Sequence, residues 1–537
     1  MRRHDRTFAV LAFLLPLALY ALTAHRGIGL PDWAVLADAA RRLEPSVAAW
    51  NHPLANLLGW LVTRGAPPEA FPSRLVWISI LPMAAAIGLF ALALVRAGVP
   101  RILALACALA HATGHSAWWH GTVAENYAIG SLFVSLALYA GVRLVQEDAG
   151  QPSSRASPAL CLLCFTASLA LANHIALGVL GPGCIPWLLH AGRRRGARAV
   201  FPALLAGLLG LTPFLALLVR DILRHPDALS LLAGGGFRSQ MFQPLSGTEI
   251  ARRLADLWTL EHPTPFALAA GAGFVLALVP ILPAPLFADR QGSPEKRTSA
   301  SAGRAFRWHC SLLALPTALF ALSYGAWDRF AFFLPVFAVS SFLGSLLLAR
   351  VRLPGKRAPL LRGLRILLPA ASVLLAFGIY PRIPAWSKSG SGYWAKRFGA
   401  IARDYEHRGD LVGMLADPVF HDRGSLERTA AILVATAPHG ALVVDDMAFQ
   451  HSMEWIARLP SVDRPDLDFV SVVPPFLEGH GLEPRAAAAR IAFHDAPVLL
   501  TTTNGLCGEA LSRLRPYGRS AEAVELPEGR RAFRIRP

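Results

Sequence analysis

Charge is what this sequence has least of. Only 16% of its 537 residues are Asp, Glu, Lys or Arg, where an ordinary soluble domain carries about 25%. The shortage is uneven. Residues 1 to 380 hold nearly all the long apolar runs, and 385–537 read like a soluble domain. With 54% hydrophobic residues and a mean hydropathy of +0.42, a wholly water-soluble protein is excluded. Acid is scarcer than base: Lys and Arg number 52 against 35 Asp and Glu, a net charge of +17. Such an excess can mark nucleic-acid binding. Here the basic residues sit in short clusters between apolar runs, as loops retained on the cytoplasmic side do, and that reading excludes it. Cysteine is sparse too, with six in the chain. Cys507 stands alone in the tail, so the tail holds no internal disulfide. Cys161-x-x-Cys164 has redox spacing. It lies in an apolar run without a His or a second pair, and reads as small core residues. No G-x-G-x-x-G or P-loop occurs, so the tail is not a nucleotide enzyme in its own right. No ligand set has convincing metal spacing. The cofactor is therefore unknown, with a divalent metal left open.

What is present is length in apolar runs. Segments 7–24, 74–96, 101–117, 127–146, 158–173, 175–191, 199–219, 264–287, 309–324, 330–349 and 365–381 approach the roughly 20 residues that cross a bilayer. They predict a mainly α fold: a polytopic transmembrane bundle of about 11 spans, then a C-terminal soluble α/β domain. The first segment follows Arg2, Arg3 and Arg6 but has no clear A-x-A site, so it reads as a retained helix and not a cleaved signal peptide. Basic clusters at the N-terminus, 96–101, 143–155, 193–198, 290–307 and 350–365 alternate with poorly basic loops. That alternation puts the N-terminus in the cytoplasm and the tail outside a bacterial inner membrane. The expected division is a membrane domain, 1–384, and a periplasmic α/β domain, 385–537.

Four outer segments follow. Residues 25–73 include Leu54–Val62, too short to span and predicted to lie at the interface. The others are the aromatic stretch Trp118–Tyr127, the loop 220–263 with Gly234-Gly235-Gly236, and 324–329. In the tail, 441–446, 468–473 and 496–502 read as buried strands. Helices are expected near 394–408, 424–437, 447–458 and 484–493.

These outer segments hold the chemistry. Asp32 follows the first span and suits a general base, or a solvated loop carboxylate. His52 in Asn51-His52-Pro53 suits phosphate orientation or proton transfer. Equally, Asn51 as N-cap with Pro53 in the first turn is a helix start. Glu125, at the head of a span beside Tyr127, is expensive so near the bilayer unless paired; the plainer reading is a favourable acid at a helix N-terminus. Asn173 and His174 end an apolar run at the same level. Arg238 among glycines suits an anionic phosphate. Asp328 either joins them or pairs with Arg329. Acids, histidines and an arginine on one face suit chemistry on a phosphate-linked lipid.

In order along the chain, Pro31-Asp32-Trp33-Ala34-Val35-Leu36, Asn51-His52-Pro53-Leu54, Trp119 through Ala124-Glu125-Asn126-Tyr127-Ala128, Ala172-Asn173-His174, Asp328-Arg329-Phe330 through Pro335 and Arg464-Pro465-Asp466-Leu467 resemble motifs of GT-C-type membrane glycosyltransferases. The resemblance is to the bacterial family related to a eukaryotic protein O-mannosyltransferase. Val35 departs from it, standing where the family has a second acid, and Leu54-Ala55-Asn56 replaces Pro-Gly-Tyr. The resemblance implies an inverting transfer from a polyprenyl-phosphate-linked sugar donor to a protein, lipid or glycan acceptor. Asp32 and Glu125 would be the catalytic residues. Asn51, His52, Tyr127, Asn173, His174, Arg238 and Asp328 would bind substrate, with Arg238 and His52 on the leaving phosphate. Two rivals stand beside it. A polyprenyl-linked lipid transporter or flippase would show vectorial uptake without bond cleavage, and a non-catalytic scaffold with a binding tail would leave no attached sugar.

Overall fold

The computed structural model describes residues 3–27, 31–43, 52–149, 157–224, 245–279, 296–324, 330–351, 358–389, 392–396, 398, 411–418, 425–472, 482–502, 505–527 and 530–536. Asn51, Arg238 and Asp328 lie outside the described residues, and Asp32 is described in its backbone alone.

The membrane part runs α1 (Arg3–Leu22), α2 (Pro31–Arg42), α3 (Pro53–Thr63), α4 (Phe71–Leu75), α5 (Trp77–Arg96), α6 (Arg101–Ala112), α7 (His115–Thr122), α8 (Tyr127–Ala149), α9 (Pro158–Leu169), α10 (Leu180–Arg195), α11 (Ala197–Arg224), α12 (Gly247–Glu261), α13 (Phe266–Leu278), α14 (Lys296–Ser323), α15 (Leu334–Arg350) and α16 (Ala358–Ile379). Among the described residues six helical stretches are long and apolar enough to cross a membrane, and shorter apolar helices fill the places between them. Six of the predicted spans fall on the long stretches; 7–24, 101–117, 158–173, 264–287 and 330–349 fall on the shorter helices, 101–117 running across the break between α6 and α7 and the end of 264–287 lying outside the described residues. The chain is a multi-pass membrane protein. Prolines 16, 82, 186, 202, 213, 316 and 369 sit inside helices, which membrane bundles tolerate because neighbours re-satisfy the freed backbone groups.

Packing inside the bundle relies on small residues and buried polar caps. Helices α13 and α15 cross at Gly273 and Gly344. A Cβ on Gly273 would overlap the Ser340 carbonyl oxygen, and one on Gly344 the Ala269 carbonyl oxygen. Arg253 of the amphipathic α12 donates from Nη1 to the carbonyls of Leu322 (2.7 Å) and Tyr324 (3.1 Å). It thereby satisfies acceptors that α14 leaves open at its C-terminal end.

The tail forms a five-stranded mixed sheet in the order β2-β1-β3-β5-β4. Its elements are α17 (Ser425–Thr436), β1 (Leu442–Asp446), α18 (Met447–Ala457), β2 (Asp468–Val472), α19 (Pro484–Ala492), β3 (Val498–Leu500), α20 (Gly505–Ser512), β4 (Ser520–Leu526) and β5 (Arg530–Arg536). The three expected strands are β1, β2 and β3, and they pair in parallel. The antiparallel β4–β5 ribbon and α20 were not expected. The alternation in β4 is weak because it is an edge strand exposed along most of its length. Helix α18 docks on the membrane part. Trp455 meets Trp33 edge-on at 5.7 Å and Phe71 at 5.1 Å, with the Arg41 guanidinium 5.9 Å over its ring.

Within the tail, Arg464 is a staple. It reaches the carbonyls of Val434 (2.8 Å), Ala437 (3.1 Å) and Pro438 (3.2 Å), in the last turn of α17 and just beyond it, and pairs with Asp466. Asp466 also accepts the Gly440 N–H at 2.8 Å. Two predictions follow from this packing. Gly273→Val should destabilise by more than about 3 kcal/mol, since backbone must move and not just a side chain; unaltered thermal unfolding in detergent would contradict the crossing. Arg464→Ala should cost roughly 2–4 kcal/mol through the orphaned Val434 and Ala437 carbonyls and the lost ion pair with Asp466, read as earlier proteolysis of the tail.

Candidate functional site

Three helix breaks meet at one end of the bundle. The first is His52, before α3. It is left-handed at φ 47° and caps α3 without a side-chain bond. Pro53 follows at the first helical position as expected, but the cap is His52 and not Asn51. A left-handed histidine costs energy and persists only where neighbours hold it. Here the Asn173 carbonyl accepts from its Nδ1 at 3.0 Å. The second break, Val123 to Asn126, joins α7 to α8. The Ser79 hydroxyl sits 2.9 Å from both the carbonyl and the N–H of Glu125, clamping a turn that helix bonds leave open. The third is Asn173-His174, between α9 and α10. Asn173 is buried and donates from Nδ2 to the Asn126 carbonyl at 3.0 Å, tying the second break to the third.

The imidazoles of His52 and His174 stack with centroids 4.8 Å apart and planes at 25°. Tyr127 lies 5.7 Å and Phe332 5.6 Å from the His174 ring. Burial pulls His52 down to about 4, opposed by its bond to the Asn173 carbonyl. Burial, then the His52 charge, holds His174 well below the usual imidazole range. Both are neutral near pH 7. Their tautomers follow from their partners. His52 gives its Nδ1 proton to a carbonyl, so its Nε2 carries a lone pair. His174 accepts the Ala176 N–H on Nδ1 at 2.9 Å, so its proton is on Nε2. The stacked pair therefore offers one acceptor and one donor. Beside it opens a small cleft of about 30 Å³, walled by Tyr127, His174, Phe320, Phe332, Leu334 and Pro335.

The structure thus brings His52, Tyr127, Asn173 and His174 together. Glu125 stands at the neighbouring break with a buried side chain. Asp32 is in the first turn of α2. Among the described residues, no group of three or more His, Cys, Asp or Glu is placed to hold a metal ion.

Sequence reasoning missed a buried acid nearby. Glu261, 1% exposed at the end of α12, accepts the Ser116 N–H on Oε2 at 2.6 Å, at the N-terminus of α7. A Cβ on Gly114 would come 2.5 Å from Oε1, so a larger residue there would push the carboxylate aside. Oε1 has no hydrogen-bond partner among the described residues. Burial raises the Glu261 carboxyl to about 7, against the lowering bond from Ser116. Helix α7 then leads from Glu261 to His120, whose ring lies 4.9 Å from Tyr127. The signal in the sequence was an acid ending an amphipathic helix beside His262, a pattern most surface helices share.

The family model of the protein O-mannosyl-transferase TMEM260 N-terminal domain matches residues 78–196, which include Glu125, Tyr127, Asn173 and His174. No curated protein matches. The crystal structure of ArnT from Cupriavidus metallidurans in the apo state superimposes with a TM-score of 0.53 at 14% identity, over 98% of this chain and 97% of that chain. The family match agrees with the resemblance read from the motifs, and the likeness to ArnT agrees with the expected fold class, a polytopic helix bundle followed by a small α/β unit.

Glu261 generates a pH prediction. Its carboxyl, raised from about 4.5 to about 7, favours the folded state most below the lower value. That stability is lost as pH rises to the upper one, by up to about 3 kcal/mol. Glu261→Gln keeps an acceptor for Ser116 and cannot ionise. It should melt higher than the parent at pH 8 and alike at pH 4.5. Equal differences at both pH values would contradict a buried, titrating Glu261.

Proposed function

We propose that this chain, similar over 78–196 to a protein O-mannosyl-transferase domain and folded like ArnT, moves a sugar from a polyprenyl-phosphate-linked donor to a protein, lipid or glycan acceptor. The reaction takes place at the outer face of the inner membrane, with the N-terminus in the cytoplasm. The carrying observation is the neutral His52–His174 stack beside a cleft with aromatic and aliphatic walls. A polar pair at an apolar cleft matches a donor with its phosphate in the headgroup layer and its tail in lipid.

The transfer is a displacement. The acceptor oxygen bonds to the anomeric carbon, the bond from that carbon to the phosphate oxygen breaks, and the acceptor proton passes to a base. Asp32, at the head of α2, is assigned that base. Charge develops on the departing phosphate, and a fixed N–H aimed at it lowers the barrier. His52 has spent its proton on Asn173, so this role passes to the Nε2–H of His174, with Arg238 as the cation. His52 then accepts a hydroxyl through Nε2. Glu125 and Tyr127 orient the sugar, and Asn173 holds the break in shape. Asn51 and Asp328 are assigned to substrate binding on the motifs they belong to. Residues 385–537 form a periplasmic unit that holds the acceptor. With Val35 in place of a second acid, the proton transfer rests on Asp32 alone.

The test is turnover of a lipid-linked sugar by membranes containing the chain. Asp32→Asn and Glu125→Gln should each lower turnover strongly. His174→Phe keeps a stacking ring but loses the donor, and should lower kcat about a hundredfold with KM little changed. Unchanged turnover in all three would overturn the role assignments. Uptake into vesicles without cleavage would overturn the activity.

A further inference from the structure

The far end of the bundle carries a second built groove. Helix α10 starts at the histidine pair and runs roughly 24 Å to Arg195 at 1.5 Å per residue. Helix α14 runs antiparallel to it, since its end lines the cleft at Thr317 and Phe320 while its start lies beside Arg193 and Arg194. The two are pinched together midway. The His309 Nδ1 is 2.7 Å from the Gly183 carbonyl, and a Cβ on Gly183 would come 2.6 Å from Leu313 Cδ2. Beyond the pinch they border an open groove of about 720 Å³.

The lining of this groove is divided. Arg193 and Arg194 enter from α10 and Arg304 from α14, at the mouth. Ile185 and Leu189, 49% and 53% exposed, form the wall toward the bilayer centre, with Trp308 at 41% between the two zones. Among the described residues no carboxylate pairs with any of the three arginines. The one buried acid close by, Asp148, is bonded to Nε2 of His190 at 3.0 Å. Loops retained in the cytoplasm need positive charge, but nothing in that need makes charges from two helices converge on one groove. Three like charges facing a shared space repel unless an anion sits among them. An apolar wall below a cationic mouth at the end of a bundle matches one class of ligand, a headgroup phosphate with its acyl chain.

We propose that this groove binds an anionic phospholipid, its phosphate on Arg193, Arg194 and Arg304 and its chain along Ile185 and Leu189, with Trp308 at the headgroup level. The site is at the opposite membrane face from the histidine pair and stands whether or not the transferase reading holds.

Native mass spectrometry of the full chain, purified in detergent and titrated with phosphatidylglycerol or phosphatidylcholine of equal chain length, tests it. The parent should retain the glycerol lipid at least tenfold better. Arg194→Gln with Arg304→Gln leaves Arg193, Arg195 and Arg198 to set topology. It should weaken retention of that lipid roughly twentyfold, about fivefold per arginine, while the choline lipid is unaffected. The single Arg304→Glu should do at least as much if the double variant is poorly folded. Equal retention of both lipids by the parent, or unchanged retention by the variants, overturns the proposal. So does full displacement by millimolar inorganic phosphate, since that would make the site an anion site without lipid.

Discussion

A bilayer offers no water to an open backbone group, so every break in a membrane helix must be closed by the protein itself. That constraint builds the site. The chain leaves helical geometry at His52, at Val123–Asn126 and at Asn173–His174, and the second and third breaks are each closed in part by a side chain from another. Asn173 serves the Asn126 carbonyl, and the Asn173 carbonyl in turn takes the proton of His52. The bond from Asn173 to Asn126 is the hinge of this arrangement. Without it the Asn126 carbonyl keeps only the Ile129 and Gly130 N–H groups at the start of α8, and the Asn173 carboxamide is orphaned before α10. The loss is on the order of 1–3 kcal/mol for that buried carboxamide.

The same closure decides the chemistry. A histidine that donates to a carbonyl on one nitrogen has its tautomer chosen for it. His52 is thus an acceptor at Nε2 and His174 a donor, by virtue of bonds whose first purpose is structural. Burial keeps both rings neutral. A neutral donor is a modest partner for a phosphate in the ground state. Its worth lies in being fixed in place when charge develops, because no reorganisation is then required. The strained φ of His52 fits this economy. The ring is held in position by backbone that would relax elsewhere if the Asn173 carbonyl moved.

Much of this was legible in the sequence, and for identifiable reasons. Apolar run length located the spans, because the bilayer thickness is a fixed ruler. The short polar motifs between the runs fall at helix breaks for Glu125, Asn173 and His174, with Tyr127 the first residue of α8. The division of labour between His52 and His174 was not legible, because a tautomer depends on a partner more than a hundred residues away. Glu261 was missed for a similar reason. Its burial comes from Gly114 and from the start of α7, neither of which is near it in sequence. The motif Arg464-Pro465-Asp466 was read as a family signature alone. Its atoms show a structural purpose, since Arg464 closes the carbonyls at the end of α17 and Asp466 closes the turn at Gly440.

The position of Asp32 is tied to the tail by one residue. Trp33 follows Asp32 in the first turn of α2, is 1% exposed, and meets Trp455 of α18 edge-on. Phe71 and Arg41 press on the same indole. The helix that carries the proposed base is therefore packed on the sheet domain as well as on the bundle. Because a close-packed aromatic contact transmits displacement and does not absorb it, a shift of the tail shifts the head of α2. In the proposed reaction the tail holds the acceptor and Asp32 deprotonates it, so the two need to keep one distance. The aromatic contact of Trp33 with Trp455 couples them directly.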